Sequence, residues 1–286
     1  MFIKAIENNL DCVKAISTAY KTPSSDEVIS SMFSFIVINE EGWVLTTKSV
    51  ANNIVFADKI HTDYEKVRQE LLENKIPPKK IFKKYKLNDD SIMIFKNVFL
   101  NTIASWTNLK IFAHDTLDLA LIKFDDPKDL VCSKFPIFAK EDAKQGEMLC
   151  RLGYPYSDFK AFKYDHSKKD IVLNEIVDGN LQIFPSEGML TRYLLDSNKN
   201  LTLFEISNYS FIGQIGGPII NKNGEIVGLL LGNAFKDAEI DINAKVKRGN
   251  KEVEIKQNNF IPLSICLNVT EIKKFLDENK VKYKTK

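Results

Sequence analysis

Apolar residues in this chain fall in short runs bounded by glycine, proline, asparagine or aspartate, which is the spacing of strands rather than of helices. Met32 to Asn39 and Trp43 to Thr46, joined by Glu40-Glu41-Gly42, predict a hairpin. Pro218 to Asn221 and Glu225 to Leu231, about an Asn223-Gly224 turn, predict another in the second half of the chain. Further strands are predicted at Ser91 to Leu100, Leu109 to Ala113, Leu119 to Phe124, Glu147 to Leu152, Asp170 to Val177, Leu181 to Phe184, Thr191 to Leu195, Leu201 to Ile206 and Phe260 to Leu267. Met1 to Ser24 fits either a short helix or a strand.

A helical period interrupts this pattern in few places. Thr62 with Glu65 reads as a capping box, after which Tyr64, Val67 and Leu71 share one face up to Asn74. Pro77-Pro78 ends that helix, and Lys79 to Lys86 predict a short basic one whose charges are read as a solvated surface. Asn268 and Glu271 cap a terminal helix carrying Ile272, Phe275 and Leu276. Ala234 to Asn258 is polar and reads as a long hairpin or mobile loop. The pattern is that of an all-β protein in two lobes, 28–125 and 145–268, with a connector at 126–144, a helical insertion at 62–86 and a C-terminal helix at 269–280.

Composition narrows the partners. The chain of 286 residues carries 40 basic and 38 acidic side chains, a net +2, so no global field favours nucleic acid or a membrane surface. Lys280 to Lys286 reads as a frayed, solvated end. No apolar run reaches the roughly 18 residues of a membrane span, and the start MFIKAIENNL lacks the apolar stretch of a secretory signal, so a cytoplasmic location is expected. Cys12, Cys132, Cys150 and Cys266 lack C-x-x-C spacing, and with three histidines the expectation is buried free thiols, no metal and no cofactor.

The chemistry centres on Gly213-Gln214-Ile215-Gly216-Gly217-Pro218. This stretch resembles the G-[DN]-S-G-G-P signature of trypsin-like serine proteases, in the compact form of the HtrA-like branch. Leu45-Thr46-Thr47-Lys48-Ser49-Val50, Asp118-Leu119-Ala120-Leu121-Ile122, Gly153-Tyr154-Pro155 and the terminal strand and helix follow the same family's order. The resemblance implies a trypsin/chymotrypsin-like double β-barrel. It also places the triad positions at Ser49 (for histidine), Asp118 (the acid, retained) and Ile215 (for the nucleophilic serine). Gly213, Gln214 and Ile215 stand as the former oxyanion loop, and Tyr209, Leu231, Gly232 and Asn233 as the former specificity cleft.

An isoleucine has no hydroxyl to attack a carbonyl, and a serine hydroxyl titrates far too high to replace imidazole as a proton shuttle. The resemblance therefore implies a catalytically inactive homologue acting by binding an unidentified protein or peptide. Asp118 would then be structural, holding nearby backbone amides or the Ser49 hydroxyl. The oxyanion loop would either survive as a cradle or relax. The alternative is an active hydrolase with a relocated nucleophile, drawing on His61, His114, Ser207 or Ser210. A Lys48–Ser49 pair is set aside because neighbours on a strand point to opposite faces.

Overall fold

The computed structural model describes residues 2–155, 162–173, 181–195, 200–249 and 251–286. A short helix α1 (Ile3–Glu7) leads into the first lobe, built from β1 (Val13–Lys21), β2 (Ile29–Val37), β3 (Trp43–Thr46), β4 (Ile94–Leu100), β5 (Asn108–Ala113) and β6 (Ala120–Asp125). Antiparallel pairing gives the order β4-β1-β2-β3-β6-β5, so β4 and β5 are edges and the curled sheet stays open between them. The resemblance implied two barrels; this first one has its six strands without closure.

The helical segment is longer than its sequence pattern suggests. Helix α2 (Lys48–Glu73) starts directly after β3, capped by Thr47, whose Oγ1 accepts the Val50 N–H at 3.2 Å. Val50, Ile54, Ala57, Tyr64, Val67 and Leu71 form its buried stripe. Thr62 is therefore mid-helix, its hydroxyl donating to Asp58 O at 2.9 Å, and the predicted capping box there does not exist. Asn74, at φ +53°, ends the helix, and α3 (Pro78–Lys84) follows with proline in its first turn. Helix α2 packs mainly on β4 and also touches β5 and β6.

In the second lobe, β8 (Met148–Arg151), β11 (Ser186–Leu194), β12 (Leu203–Ser207), β13 (Pro218–Ile220), β14 (Glu225–Arg248) and β15 (Lys251–Asn268) close a ring, because β13 pairs with both β8 and β14. The predicted strand at Leu181 to Phe184 is irregular chain instead, with Phe184 N–H donating to Gly153 O at 2.8 Å. Residues 174–177 of the predicted Asp170 to Val177 strand lie outside the described residues, and Asp170–Leu173 (β10) pairs with Phe162–Asp165 (β9). The polar stretch from Ala234 is a long hairpin, paired out to Arg248 opposite Lys251. Terminal helix α4 (Val269–Glu278) starts at Asn268, whose side chain accepts the Glu271 N–H.

The chain after α4 is docked rather than frayed. β16 (Lys284–Thr285) runs parallel to β7 (Ile137–Phe138), which in turn joins β14. Lys282 reaches Glu41 at 2.8 Å, and Asn39 Nδ2 donates to Lys282 O at 2.8 Å. The backbone holds this tail, which its lysines alone would not suggest. Cys12, Cys150 and Cys266 are buried free thiols and Cys132 is half-buried.

The lobes meet at one hydroxyl. Ser34, fully buried on β2, donates from Oγ to Gly213 O at 2.8 Å and accepts the Tyr154 N–H at 3.1 Å. Its backbone N–H donates to Ile215 O at 2.8 Å, and its carbonyl accepts from Thr46 Oγ1 at 3.1 Å. A β-carbon on Gly213 would lie 1.8 Å from Tyr154 O, so only glycine lets these backbones approach.

Two expected outcomes follow from this packing. Ser34→Ala leaves buried polar groups short of partners and should lower stability by about 1–3 kcal/mol in urea unfolding. Glu205, buried on β12, is the other. Burial opposes its charge, but Arg192 at 2.6 Å and Lys236 at 2.9 Å prevail and hold its carboxyl below the ordinary glutamate range. A depressed folded pKa stabilises above the unfolded value of about 4.3 and is lost as pH falls through the folded one. Glu205→Gln should therefore flatten the acid-side fall of the urea midpoint, as unfolding series from neutral pH downward will measure.

Candidate functional site

Ser49 and Asp118 are brought together. Ser49 is the second residue of α2, and both its backbone N–H and its hydroxyl donate to Asp118 Oδ1 at 2.8 Å; the hydroxyl also lies 2.8 Å from Oδ2. A carboxylate accepting a first-turn amide satisfies one of the helix's four orphan donors and faces the positive end of its dipole. Asp118 thus acts as an outside cap for α2. Lys48 reaches the same loop, its ammonium donating to His114 O at 2.7 Å and Asp115 O at 3.2 Å. Lys48 and Ser49 are therefore on a helix, not on opposite faces of a strand. Carbonyls hold the Lys48 ammonium, and the Ser49 hydroxyl turns to Asp118 instead.

The loop from Gly213 to Gly217 is shaped by its own hydrogen bonds. Ile212–Gln214 makes one turn of 3-10 helix, with Gln214 N–H donating to Phe211 O and Ile215 N–H to Ile212 O at 3.1 Å. The Ile215 amide, one of the two donors an oxyanion cradle requires, is thereby used inside the loop. Gln214 is fully buried and braces the turn, its side-chain amide donating through Nε2 to Phe184 O at 2.8 Å while Oε1 accepts the Phe211 N–H at 3.1 Å. Gly216, at φ +81°, passes so close to Ser34 O and Thr46 Oγ1 that a β-carbon would lie within 2.4 Å of each. The Ile215 side chain packs on the small first-lobe core that includes Phe35, Val50 and Ile54.

The predicted cleft residues sit on two facing segments tied together. Asn233, on β14, accepts the Ser210 N–H at 2.7 Å and the Ser210 hydroxyl at 2.8 Å through Oδ1, and donates to Ser210 O at 2.7 Å through Nδ2. This three-bond clamp joins the wall at Leu231, Gly232 and Asn233 to the floor segment after Tyr209. Gly232 marks a register shift in the β14–β15 ladder. Tyr209 does not fill a pocket. It is exposed, with its ring 5.2 Å from Phe211, and Phe211 is in turn 5.3 Å from Phe184. Arg151, fully buried and with no carboxylate partner among the described residues, donates to Asn208 O at 3.1 Å, Ser264 Oγ at 2.7 Å and Glu187 O at 2.9 Å. Burial lowers its pKa from the usual arginine value.

The candidates for a displaced nucleophile are occupied or apart. His61 is exposed on α2 and lines a cavity with Asp58 and Trp106. His114 Nδ1 accepts the N–H groups of Thr116 and Leu117 at 3.2 and 3.1 Å. Ser207 Oγ accepts from Met189 N–H at 2.8 Å, and Ser210 is in the Asn233 clamp. Burial pushes the Cys150 and Cys132 thiols up to about 11, away from the thiolate. Among the described residues no group of three or more His, Cys, Asp or Glu is placed to hold a metal, and no helix is long and apolar enough to cross a membrane.

Ser34, the Asn233 clamp and Arg151 were missed as a set by sequence reasoning. Each works through partners that only the closed fold brings near; Ser34 and Gly213 are 179 positions apart.

The solved structure of the Rv3671c protease from M. tuberculosis, in its active form, is similar at 14% identity over 98% of this chain and 86% of that one, with a TM-score of 0.46. No curated protein gives a match to the sequence. The trypsin-like peptidase domain matches residues 34–229, which spans both lobes from the Ser34 strand to the hairpin after the glycine loop. The chain belongs to the trypsin-like peptidase domain family.

Proposed function

We propose that this chain is a catalytically inactive trypsin-like peptidase homologue that acts by binding a protein or peptide. Ser49, Asp118 and Ile215 stand at its vestigial triad positions. One observation carries the reading: Ile215 offers no nucleophile and its N–H is bonded to Ile212 O, so attacking group and oxyanion donor are lost at one residue. At the base position, the Ser49 hydroxyl is spent on the carboxylate it would need an imidazole to bridge.

The binding surface in this reading is the former cleft. Beyond Leu230, which pairs with the Gly216–Gly217 backbone, the outer edge of β14 has no partner strand among the described residues. An extended peptide can add there by backbone hydrogen bonds, beside the exposed Tyr209, Ile212 and Phe184. The Asn233 clamp keeps the floor shut beneath it, so recognition is by the edge and the aromatic patch rather than by a deep side-chain pocket.

A fluorophosphonate probe should label no serine stoichiometrically; stoichiometric labelling would show an active nucleophile and end this reading. The double variant Ser49→His with Ile215→Ser should show no measurable peptidase activity, since one absent oxyanion donor alone costs about 10²–10³ in turnover. Efficient turnover by that variant would mean the loop re-forms its cradle. A partner recovered from native extract by the intact chain should bind at least about tenfold more weakly to a Tyr209→Ala, Phe211→Ala variant, measured by titration of the purified pair. Unchanged affinity would move the binding surface elsewhere.

A further inference from the structure

The open seam of the first sheet presents two bare edges, and strand parity fixes what each offers. Val37 N–H donates to Cys12 O, making these a hydrogen-bonded pair of the β1–β2 ladder. Backbone direction alternates along an antiparallel strand, so the odd residues of β1 bond to β4. With Ala15 opposite Leu100, it follows that Phe95, Asn97 and Phe99 turn their N–H and C=O groups outward. On the other edge, Phe124 N–H to Gly42 O sets the same alternation, and Leu109, Ile111 and Ala113 of β5 point outward.

Between these edges lies a cavity of about 670 Å³ lined by Phe95, Asn97, Phe99, Trp106 and Leu109, with Ile54 and Asp58 of α2 on its flank. A second cavity of about 500 Å³ shares Phe99, Ile103 and Ala104 with it and extends to Asp129, so the two form one groove. The groove's free charge is negative. Its one lysine, Lys96, is held by Asp170 at 2.6 Å and Ile171 O at 2.9 Å, whereas Asp58 and Asp129 have no ion-pair partner among the described residues. Bare strand edge, aromatic walls and unpaired carboxylates together specify an occupant.

We propose that this seam is a strand-addition site for an extended basic peptide segment. Its main chain pairs with the outward groups of Phe95, Asn97 and Phe99, and its lysines or arginines meet Asp58 and Asp129 with the rings of Phe99 and Trp106 alongside. The site is separate from the β14 edge and stands whether or not that edge binds.

The test uses the intact chain with three capped heptapeptides: alternating Lys-Val, its Glu-Val counterpart, and the Lys-Val peptide N-methylated at every valine. Site-resolved amide exchange should slow by about tenfold or more at Phe95, Asn97 and Phe99 with the basic peptide alone. An Asp58→Asn, Asp129→Asn variant should bind it at least about fivefold more weakly. The proposal is overturned if the N-methylated or acidic peptide binds equally well, if protection falls on Leu231 to Phe235 instead, or if nothing binds at about 1 mM peptide.

Discussion

The buried Ser34 hydroxyl is the constraint on which the rest of the site depends. It bridges the first lobe to Gly213 O and Tyr154 N–H, and the adjacent backbone fixes Ile215 through its carbonyl. Four polar groups from three distant segments are satisfied within one residue's reach, where each left alone would carry the full desolvation penalty. The glycines at 213 and 216 are needed because this convergence leaves no room for a β-carbon. The glycine loop therefore keeps its place through inter-lobe packing, independently of any chemistry at Ile215.

That independence separates the residues that seat the loop from the side chain at position 215. The residues that seat the loop are backbone and small side chains, and they also hold the lobes together. Removing them would weaken the junction between the lobes. The Ile215 side chain itself packs on the small core of Phe35, Val50 and Ile54. Asp118 retains work in the same way, by capping α2 through the Ser49 amide.

Much of this was legible in the sequence, for reasons particular residues make plain. The Glu40-Glu41-Gly42 and Asn223-Gly224 turns announced their hairpins because turn chemistry is local. The start of α2 is masked because Asn52 and Asn53 are poor helix formers, although Val50, Ile54 and Ala57 already carry the helical stripe. β1 was ambiguous because buried Lys14, Ser17, Thr18 and Lys21 mask its apolar pattern; Ser17 and Thr18 turn their hydroxyls to Ser31 O, and Lys21 is bound by Ser25 O. The open seam could not be read at all, since closure depends on whether two strands find each other across the lobe.

The long β14–β15 hairpin has a consequence for the chain's behaviour in concentrated solution. A two-stranded arm with bare edges ordinarily invites copies of itself to stack into larger sheets. Here Lys245 stands opposite Glu254 and Lys247 opposite Glu252, while Arg248 faces Lys251 near the tip. Those side chains are exposed, so a neighbouring arm would have to strip water from a row of charges before any ladder could form. Towards its tip the arm is guarded against fibre growth by charge.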